Sequence, residues 1–197
     1  MDTNADPEVL IKNSEKLEID LSEIDAIVIS HEHFDHAGGL PALARFKRNV
    51  DVYIPYHSSG GRLDKYIRRL GLNPVPVKQT TEIFKNIFII GELPGSLFLW
   101  EQSMAIKSSK GLIVFLGCSH PGAEKFIEKA LFKIDKRLYI VIGGLHNPST
   151  YTLDRIIEYN PHKIYPLHCS GSFAIEYIRK KAPEKLGERG SGLIIEI

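Results

Sequence analysis

The chain has 197 residues, which is enough for a compact domain with a sizeable hydrophobic core. Its 25 basic and 24 acidic residues nearly balance, so the composition argues against a nucleic-acid partner. Two cysteines are too few for a disulfide framework, no apolar stretch approaches a membrane span, and the polar first residues differ from a signal peptide. We therefore expect a soluble, cytoplasmic protein without membrane contact.

The first predicted element is a helix over residues 7–17. Asp6 can cap its first turn, and proline is favoured at the first helical position, which Pro7 occupies. This helix is predicted to bury three apolar side chains: Val9, Leu10 and Leu17.

An unbroken apolar run at 26–29 precedes the most informative stretch of the chain. A short β-branched run of this kind indicates a buried strand, here over 26–30. Three histidines and one carboxylate follow it directly: His31, His33, Asp35 and His36. Alternate residues of an extended segment point the same way, so His31 and His33 are predicted to lie side by side. Imidazole nitrogens with one carboxylate oxygen are typical ligands of Zn²⁺ or another first-row divalent metal, and we interpret this stretch as a metal site.

Helices and strands alternate along the remainder of the chain. Helices are predicted over 40–47, 62–70, 123–131, 153–160 and 173–181. Strands are predicted over 52–54, 86–90, 97–100, 104–107, 112–116, 138–142, 163–167 and 193–197. Runs of strands followed by βα alternation indicate an α/β fold with two sheets and helices outside them.

Three of the later strands end in loops that carry histidine. His120 follows the strand at 112–116, His146 follows the one at 138–142, and His168 follows the one at 163–167. Parallel strands of one sheet bring their carboxyl ends to the same edge, where open α/β sheets place their ligands. With the loop after 26–30, four strand ends are therefore predicted to converge on one site.

The motif His31-x-His33-x-Asp35-His36, placed after an apolar strand, resembles the metal-binding signature of the metallo-β-lactamase superfamily. The segments Gly-Cys-Ser-His-Pro-Gly, Gly-Gly-Leu-His and Pro-Leu-His-Cys-Ser-Gly are similar to one branch of it, over 2–197. That branch is named for 7,8-dihydropterin-6-methyl-4-(β-D-ribofuranosyl)aminobenzene-5′-phosphate synthase. The resemblance implies an α/β/β/α sandwich and a single domain over 1–197.

The resemblance also implies that the first strands of the N-terminal sheet are missing. Superfamily members carry an Asp-Thr-Gly turn after those strands, and Asp2-Thr3-Asn4 stands in its place here. Missing strands would leave an unpaired edge and an uncovered apolar face beside strand 26–30. We therefore expect homo-oligomers or poor solubility.

The metal content implied by the resemblance is one or two Zn²⁺ ions, with Mn²⁺ or Fe²⁺ as alternatives. The implied ligands are His31, His33, Asp35, His36, His120 and His168. His168 matches the last histidine of the superfamily, but the usual third histidine is absent from 91–103. Gly117-Cys118-Ser119-His120 stands where a Gly-Asp pair is expected, so we predict His120 as the replacement ligand, with Cys118 and His146 as alternatives.

Catalytic roles are implied for His146 and Asp35. In phosphodiesterase branches of the superfamily, a histidine in the interval of His146 protonates the leaving oxygen, which makes it a candidate general acid. A metal ligand or a loop-fixing histidine is the alternative. Ser170-Gly171-Ser172 could offer backbone N–H groups to a phosphate or form an ordinary helix cap. Cys118 and Cys169 are also typical of small thiols in packed strand ends.

The resulting functional hypothesis is a metal-dependent hydrolase or transferase that uses metal-bound hydroxide. Its predicted substrate is a phosphorylated small molecule, such as a pterin precursor. One alternative is a nuclease-like phosphodiesterase, which the balanced charge disfavours. The other is a di-iron redox protein, which usually needs a carboxylate at the position of His33 and a flavodoxin-like partner domain.

Overall fold

The computed structural model describes residues 1–95, 98–188, 190 and 192–196. The chain divides into two compact units, Met1–Lys78 and Gln79–Ile197, which are described separately below. The expectation of one domain over 1–197 stays a prediction. Among the described residues, no helix combines the length and the apolar character needed to cross a membrane.

The first unit contains a parallel sheet and helices that pack beside it. Its helices are α1 (Pro7–Lys16), α2 (Phe34–Ala37), α3 (Leu40–Phe46) and α4 (Arg62–Arg69). Its strands are β1 (Ala26–Val28), β2 (Asp51–Pro55) and β3 (Asn73–Val77), in the order β1-β2-β3. Ile27, Ile29, Leu40, Val52, Ile54 and Ile67 belong to its buried core. The sheet is parallel because helical segments separate its strands, as βαβ connections require.

Helix α1 confirms the predicted cap but corrects two of the predicted core residues. The Asp6 carboxylate accepts a hydrogen bond from the Glu8 N–H at 2.9 Å. Leu10 packs against the core, whereas Val9 and Leu17 are exposed. Val9 lies about 100° around the helix from Leu10, and Leu17 is the C-cap residue, beyond the last helical position.

Strand β3 was missed because its sequence is Asn-Pro-Val-Pro-Val. Proline has no N–H to donate to a sheet, so Pro74 and Pro76 argue against a central strand. The structure resolves this conflict by placing β3 at the end of the sheet order, paired through β2 alone. Edge strands accept proline because one row of their backbone groups needs no partner strand.

The second unit is built on a mixed sheet with the order β11-β10-β9-β8-β5-β4. Its strands are β4 (Thr81–Phe84), β5 (Ile87–Ile89), β8 (Met104–Ser108), β9 (Gly111–Leu116), β10 (Leu138–Gly144) and β11 (Lys163–Leu167), and a separate pair is formed by β6 (Leu93–Pro94) and β7 (Trp100–Glu101). Its helices are α5 (Ala123–Lys133), α6 (Thr150–Glu158) and α7 (Gly171–Lys181). As predicted, β9, β10 and β11 are parallel.

The three helices of the second unit pack on the apolar sheet. Phe126 and Ile127 of α5 and Ile156 of α6 are fully buried and belong to one cluster with Val114 of β9 and Val141 of β10. Helix α5 follows β9, α6 follows β10 and α7 follows β11, which is the order that βαβ connections of a parallel sheet require. The carboxyl ends of these strands therefore lie at one edge of the sheet.

Two predicted strands of this unit are corrected by the structure. In the segment 97–100, residue 97 lies outside the described residues, 98 and 99 are not strand, and β7 begins at Trp100. In the segment 193–197, residues 193–196 form no strand, and 197 lies outside the described residues. The edge of β11 is met instead by Leu186, which bridges Ile164, and by the Gly187 N–H, which donates to the Ile164 carbonyl at 2.8 Å. Strand β4 was missed because its side chains are mostly exposed.

We predict that Asp64→Asn destabilises the first unit. The buried Asp64 carboxylate accepts the Gly60 N–H at 2.8 Å and Arg68 Nε at 2.6 Å. An asparagine cannot accept both bonds without turning its own N–H₂ towards a donor, so the expected loss is about 1–3 kcal/mol of the free energy of unfolding. Urea unfolding followed by circular dichroism measures it, with Asp25→Asn at an exposed position as the control.

The same carboxylate makes the stability of this unit depend on pH. The hydrogen bond from the Gly60 N–H lowers the pKa of Asp64, and Arg68 adds to this effect. Because the folded-state pKa lies below the unfolded one, the stabilisation is complete above the unfolded pKa and is lost as pH falls through the folded pKa. The difference between wild type and Asp64→Asn should therefore shrink in acid; a constant difference would contradict the assignment.

Candidate metal centre

The first unit brings the four residues of its histidine motif into one cluster. His31 is fully buried, and its Nε2 lies 3.0 Å from Nδ1 of His33. The rings of His31 and His36 are 4.1 Å apart between centroids. Asp35 Oδ2 lies 3.4 Å from Nε2 of His36. The cluster therefore offers two close pairs of donor atoms, one of two imidazoles and one of an imidazole with a carboxylate.

Asp2 fixes the orientation of His36. Its Oδ1 accepts the Ser30 N–H at 2.7 Å, and its Oδ2 accepts the Ser30 hydroxyl and the Nδ1–H of His36, both at 2.9 Å. This contact favours the tautomer of His36 that carries its lone pair on Nε2, towards Asp35. The sequence had placed Asp2 only within a superfamily turn, and its contact with His36, 34 positions away, requires the folded chain.

His31 is held in a related way by Ser30. The Ser30 hydroxyl lies 2.9 Å from Nδ1 of His31, so a proton on Nδ1 leaves the lone pair on Nε2. Metal-binding histidines usually donate their second ring N–H to a carboxylate, a carbonyl or water, which fixes the ring and raises its basicity. The contacts of His31 and His36 follow that arrangement, and nitrogen donors with one carboxylate suit a first-row divalent ion.

In the second unit, the loops after β9, β10 and β11 contain residues with unusual backbone angles. The φ angles of Ser119, His146 and His168 are 69°, 51° and 50°. Left-handed backbone is uncommon for residues other than glycine, and such residues concentrate at functional sites. The predicted convergence of strand ends is confirmed for these three loops. For the loop of His31, which follows β1 of the first unit, this convergence stays a prediction.

A fully buried carboxylate, Glu101, organises the loop of His120. Its Oε1 accepts the N–H groups of Cys118 at 2.8 Å and Ser119 at 2.7 Å. Its Oε2 accepts the His120 N–H at 2.8 Å and lies 2.9 Å from Nδ1 of the same residue. With a proton on Nδ1, the His120 lone pair lies on Nε2, as in a histidine prepared to bind metal. Glu101 was not among the residues predicted from the sequence, where a charged residue beside predicted strands was the available signal.

His146 lies against His120 but is more exposed. Their ring centroids are 4.2 Å apart, and the rings are tilted by 47°. The His146 loop is tied to the next one by the Asn147 N–H, which donates to the Cys169 carbonyl at 2.9 Å. His146 is therefore an accessible imidazole held beside a candidate ligand.

The two cysteines lie close to the same imidazole. Sγ of Cys118, Sγ of Cys169 and a ring nitrogen of His146 all lie within 4.8 Å of one another. Cys118 is buried, and Cys169 is half-buried. The hydrogen bond from the Cys118 side chain lowers the pKa of Cys169 to about 5, with further bonds from His146 adding to the effect. Their interpretation as simple packing thiols does not account for this clustering.

His168 opens a short 3₁₀ turn, His168–Ser170, and is exposed. It lines an open cavity of about 650 Å³ that also includes Ser172 and Ile175 at the start of α7. The Ser170 hydroxyl forms no helix cap; it accepts the Leu145 N–H at 3.1 Å and donates to the Leu167 carbonyl at 2.6 Å. Ser170 stands at the N-cap position of α7, but the alternative that its hydroxyl caps the helix is wrong.

Comparison with known proteins gives the class of the molecule. The family model described as the metallo-beta-lactamase superfamily matches residues 1–168. The chain therefore belongs to the metallo-β-lactamase superfamily, as its histidine motif indicated. A solved structure, Tm1679, is described as a metal-dependent hydrolase of the beta-lactamase superfamily. Its TM-score is 0.83 at 24% identity, and the match covers 100% of this chain and 87% of that one. The predicted metallo-β-lactamase-type α/β fold is confirmed.

One curated relative and one further solved structure are also similar to this chain. The 7,8-dihydropterin-6-methyl-4-(beta-D-ribofuranosyl)-aminobenzene-5′-phosphate synthase of Methanocaldococcus jannaschii is 26% identical over 244 residues, which cover 99% of this chain and 83% of the relative. The structure of a diphosphatase from the PhnP family has a TM-score of 0.64 at 18% identity and covers 98% of this chain and 76% of its own. The resemblance to the synthase branch is thus confirmed at the level of sequence similarity.

We predict that Asp2→Asn and Glu101→Gln weaken metal binding without changing a proposed ligand. Each carboxylate accepts hydrogen bonds that orient a histidine ring, and replacing such partners typically reduces metal affinity by about 10–100-fold. Calorimetric titration of metal-free protein with Zn²⁺ measures the effect. Asp25→Asn and Glu176→Gln, both at exposed positions, are the matched controls. Unchanged affinity in the folded variants would show that the rings are oriented by other contacts.

Proposed function

We propose that the protein is a metal-dependent hydrolase or transferase that acts on a phosphorylated small molecule. The observation that carries this proposal is the pairing of two motif histidines with carboxylates, His36 with Asp2 and His120 with Glu101. In both pairs Nδ1 faces an oxygen acceptor, which is how proteins prepare Nε2 to bind a metal ion. Membership of the metallo-β-lactamase superfamily supports the same chemistry.

The proposed metal is zinc, one or two ions, with Mn²⁺ or Fe²⁺ as alternatives. The proposed ligands are His31, His33, Asp35, His36, His120 and His168. When bound, an ion of this kind lowers the pKa of a water molecule towards neutrality and polarises a phosphoryl oxygen. Nitrogen-rich donor sets favour zinc and its neighbours over Mg²⁺ or Ca²⁺, which prefer oxygen ligands.

Three side chains have proposed roles in the reaction or in holding its ligands. Asp35 lies 3.4 Å from Nε2 of His36, so we assign its carboxylate to hold the catalytic ion together with this imidazole. His146 is exposed beside His120, and we assign it as the donor of a proton to the leaving oxygen. Glu101 has no proposed contact with substrate; it positions His120.

A cavity beside His33 in the first unit supports a substrate with an aromatic and an anionic part. It has a volume of about 440 Å³ and is lined by Phe34, Arg62 and Tyr66 among others. Phe34 is 72% exposed, so its face is available for stacking. The Arg62 guanidinium is also exposed and suits a phosphate or a carboxylate. A phosphorylated pterin precursor, the compound class named for the Methanocaldococcus jannaschii relative, has both parts.

Metal analysis followed by a substrate panel tests the proposed function. Metal-free protein should take up zinc on titration, and loaded protein should release product from a phosphorylated pterin or a related phosphoester. The double variant His31→Ala/His33→Ala should lose both metal uptake and turnover, while Asp25→Asn should keep both. Absence of metal uptake by folded wild-type protein would contradict the proposed function.

A second prediction separates the roles of His120 and His146. His120→Ala should lower metal affinity and activity, because a water molecule in place of the imidazole would bind the ion less strongly. His146→Ala should keep the metal content and reduce turnover by about 10²–10⁴-fold. That loss should shrink for nitrophenyl esters, whose leaving group needs no proton. Should His146→Ala lose metal while His120→Ala keeps it, the two assignments are reversed.

A further inference from the structure

The clearest unassigned carboxylate of the first unit is that of Glu32, which lines the cavity beside His33. This cavity has a volume of about 440 Å³ and also includes Phe34 and Arg62 in its lining. The Glu32 side chain is exposed, and among the residues that the structure describes no hydrogen bond or ion pair engages its carboxylate. Glu32 is not a proposed metal ligand and has no role in the proposed reaction. Its oxygens are therefore available as acceptors to a ligand in this cavity.

Aromatic and apolar side chains form most of the remaining lining. Phe34 opens helix α2 and is 72% exposed, so one face of its ring is open to a ligand. Tyr66 of α4 packs against the hydrophobic core, which fixes the position of its ring. Leu63 and Ala37 are buried and add an apolar surface to the same cavity. Flat rings bind well to such a lining, because stacking and apolar burial both favour them.

Two opposite charges line this cavity without contacting each other. Glu32 precedes the aromatic residue of α2 by two positions, and Arg62 is the first residue of α4. They form no ion pair with each other, and Arg62 forms none with any other described carboxylate. A ligand that offers N–H donors at one end and an anionic group at the other would therefore satisfy both side chains. Hydrogen bonds to charged groups are stronger than those between neutral ones, so each end would add to specificity.

The chemistry of a carboxylate determines which ring edge Glu32 can recognise. An ionised carboxylate only accepts hydrogen bonds, and its two oxygens can accept two parallel ones. A ring N–H beside an exocyclic amino group presents two such donors, and this edge occurs in the aminopyrimidinone rings of pterin and guanine. A carbonyl in place of the amino group would face the carboxylate with a second acceptor. A site built to accept hydrogen bonds rejects such an analogue, because buried polar groups are then left unpaired.

We propose that this cavity binds an aminopyrimidinone ring of the substrate and that Glu32 and Phe34 determine its specificity. Phe34 stacks on the face of the ring, and Glu32 accepts hydrogen bonds from its amino group and the adjacent ring N–H. Arg62 holds the anionic group of the same molecule. The inference rests on the proposed function for the reaction that follows binding, since His33 lines the same cavity. Recognition of the ring depends on the cavity alone and is measured separately.

Fluorescence titration with pterin and lumazine tests the role of Glu32. Both rings fluoresce, and lumazine carries a carbonyl where pterin carries the amino group. Zinc-titrated wild-type protein should bind pterin about 10–100-fold more tightly than lumazine. Glu32→Gln should weaken pterin binding by a similar factor and favour lumazine, because an amide offers one donor and one acceptor. Equal affinity of wild type for both rings, or unchanged pterin binding in folded Glu32→Gln, would overturn the proposal.

Two further variants separate stacking from recognition of the anionic group. Phe34→Leu should weaken both rings by about 3–10-fold and keep the preference for pterin. Arg62→Ala should leave pterin binding unchanged and weaken binding of hydroxymethylpterin phosphate. Glu15→Gln and Arg69→Ala, both at exposed positions of the same unit, are the matched controls. Circular dichroism and zinc uptake check each variant. An equal loss of pterin and lumazine binding in Glu32→Gln would show that its carboxylate does not read the ring edge.

The same measurements distinguish this inference from the proposed function. Zinc uptake and turnover without a preference for pterin would refute the inference and leave the proposed function intact. A preference for pterin that depends on Glu32, without zinc uptake or turnover, would refute the proposed function and support the ring site. Competition with guanosine monophosphate, which has the same donor edge, identifies the ring system. We expect pterin to bind more tightly; tighter binding of the nucleotide would support the role of Glu32 and assign the cavity to guanine.

Discussion

The buried carboxylate of Glu101 is the interaction on which the histidine loop of the second unit depends. Among the described residues, its oxygens accept hydrogen bonds from three consecutive backbone N–H groups and lie beside Nδ1 of His120. None of these donors is a lysine or an arginine. Leaving such donors unpaired in a buried position costs about 1–3 kcal/mol each. The loop conformation, with its left-handed Ser119, is therefore coupled to the presence of this one side chain.

The same physical solution appears in the first unit with Asp2. There a carboxylate accepts the N–H and hydroxyl of Ser30 as well as Nδ1 of His36. Two independent loops thus use an acceptor from a distant part of the chain to hold an imidazole. Charge-assisted hydrogen bonds are short and directional, so they restrict the ring more than apolar packing does. Orientation of this kind is needed when donors must meet an ion at fixed distances.

Much of the fold follows from local patterns. Helix α5, the cap of α1 by Asp6 and the strands β8 and β9 were all predicted correctly, because short-range periodicity and capping chemistry decide them. Strand β3 was missed, and the strand predicted over 193–197 does not form in its described residues. Whether such a segment becomes a strand depends on which sheet edge is available to it. A proline-rich or apolar segment alone does not specify its pairing partner.

For the candidate site, the sequence by itself determined the residue types and their order. The motif of His31 through His36, and the histidines after three strands, follow from spacing and from the period of extended chain. Only the tertiary structure decided which acceptor holds each ring, because Asp2 and His36 are 34 positions apart and Glu101 and His120 are 19 apart. It likewise decided that Cys118 and Cys169, 51 positions apart, lie beside each other. Side-chain contacts across such separations depend on the pairing and packing of whole strands, which no local sequence pattern contains.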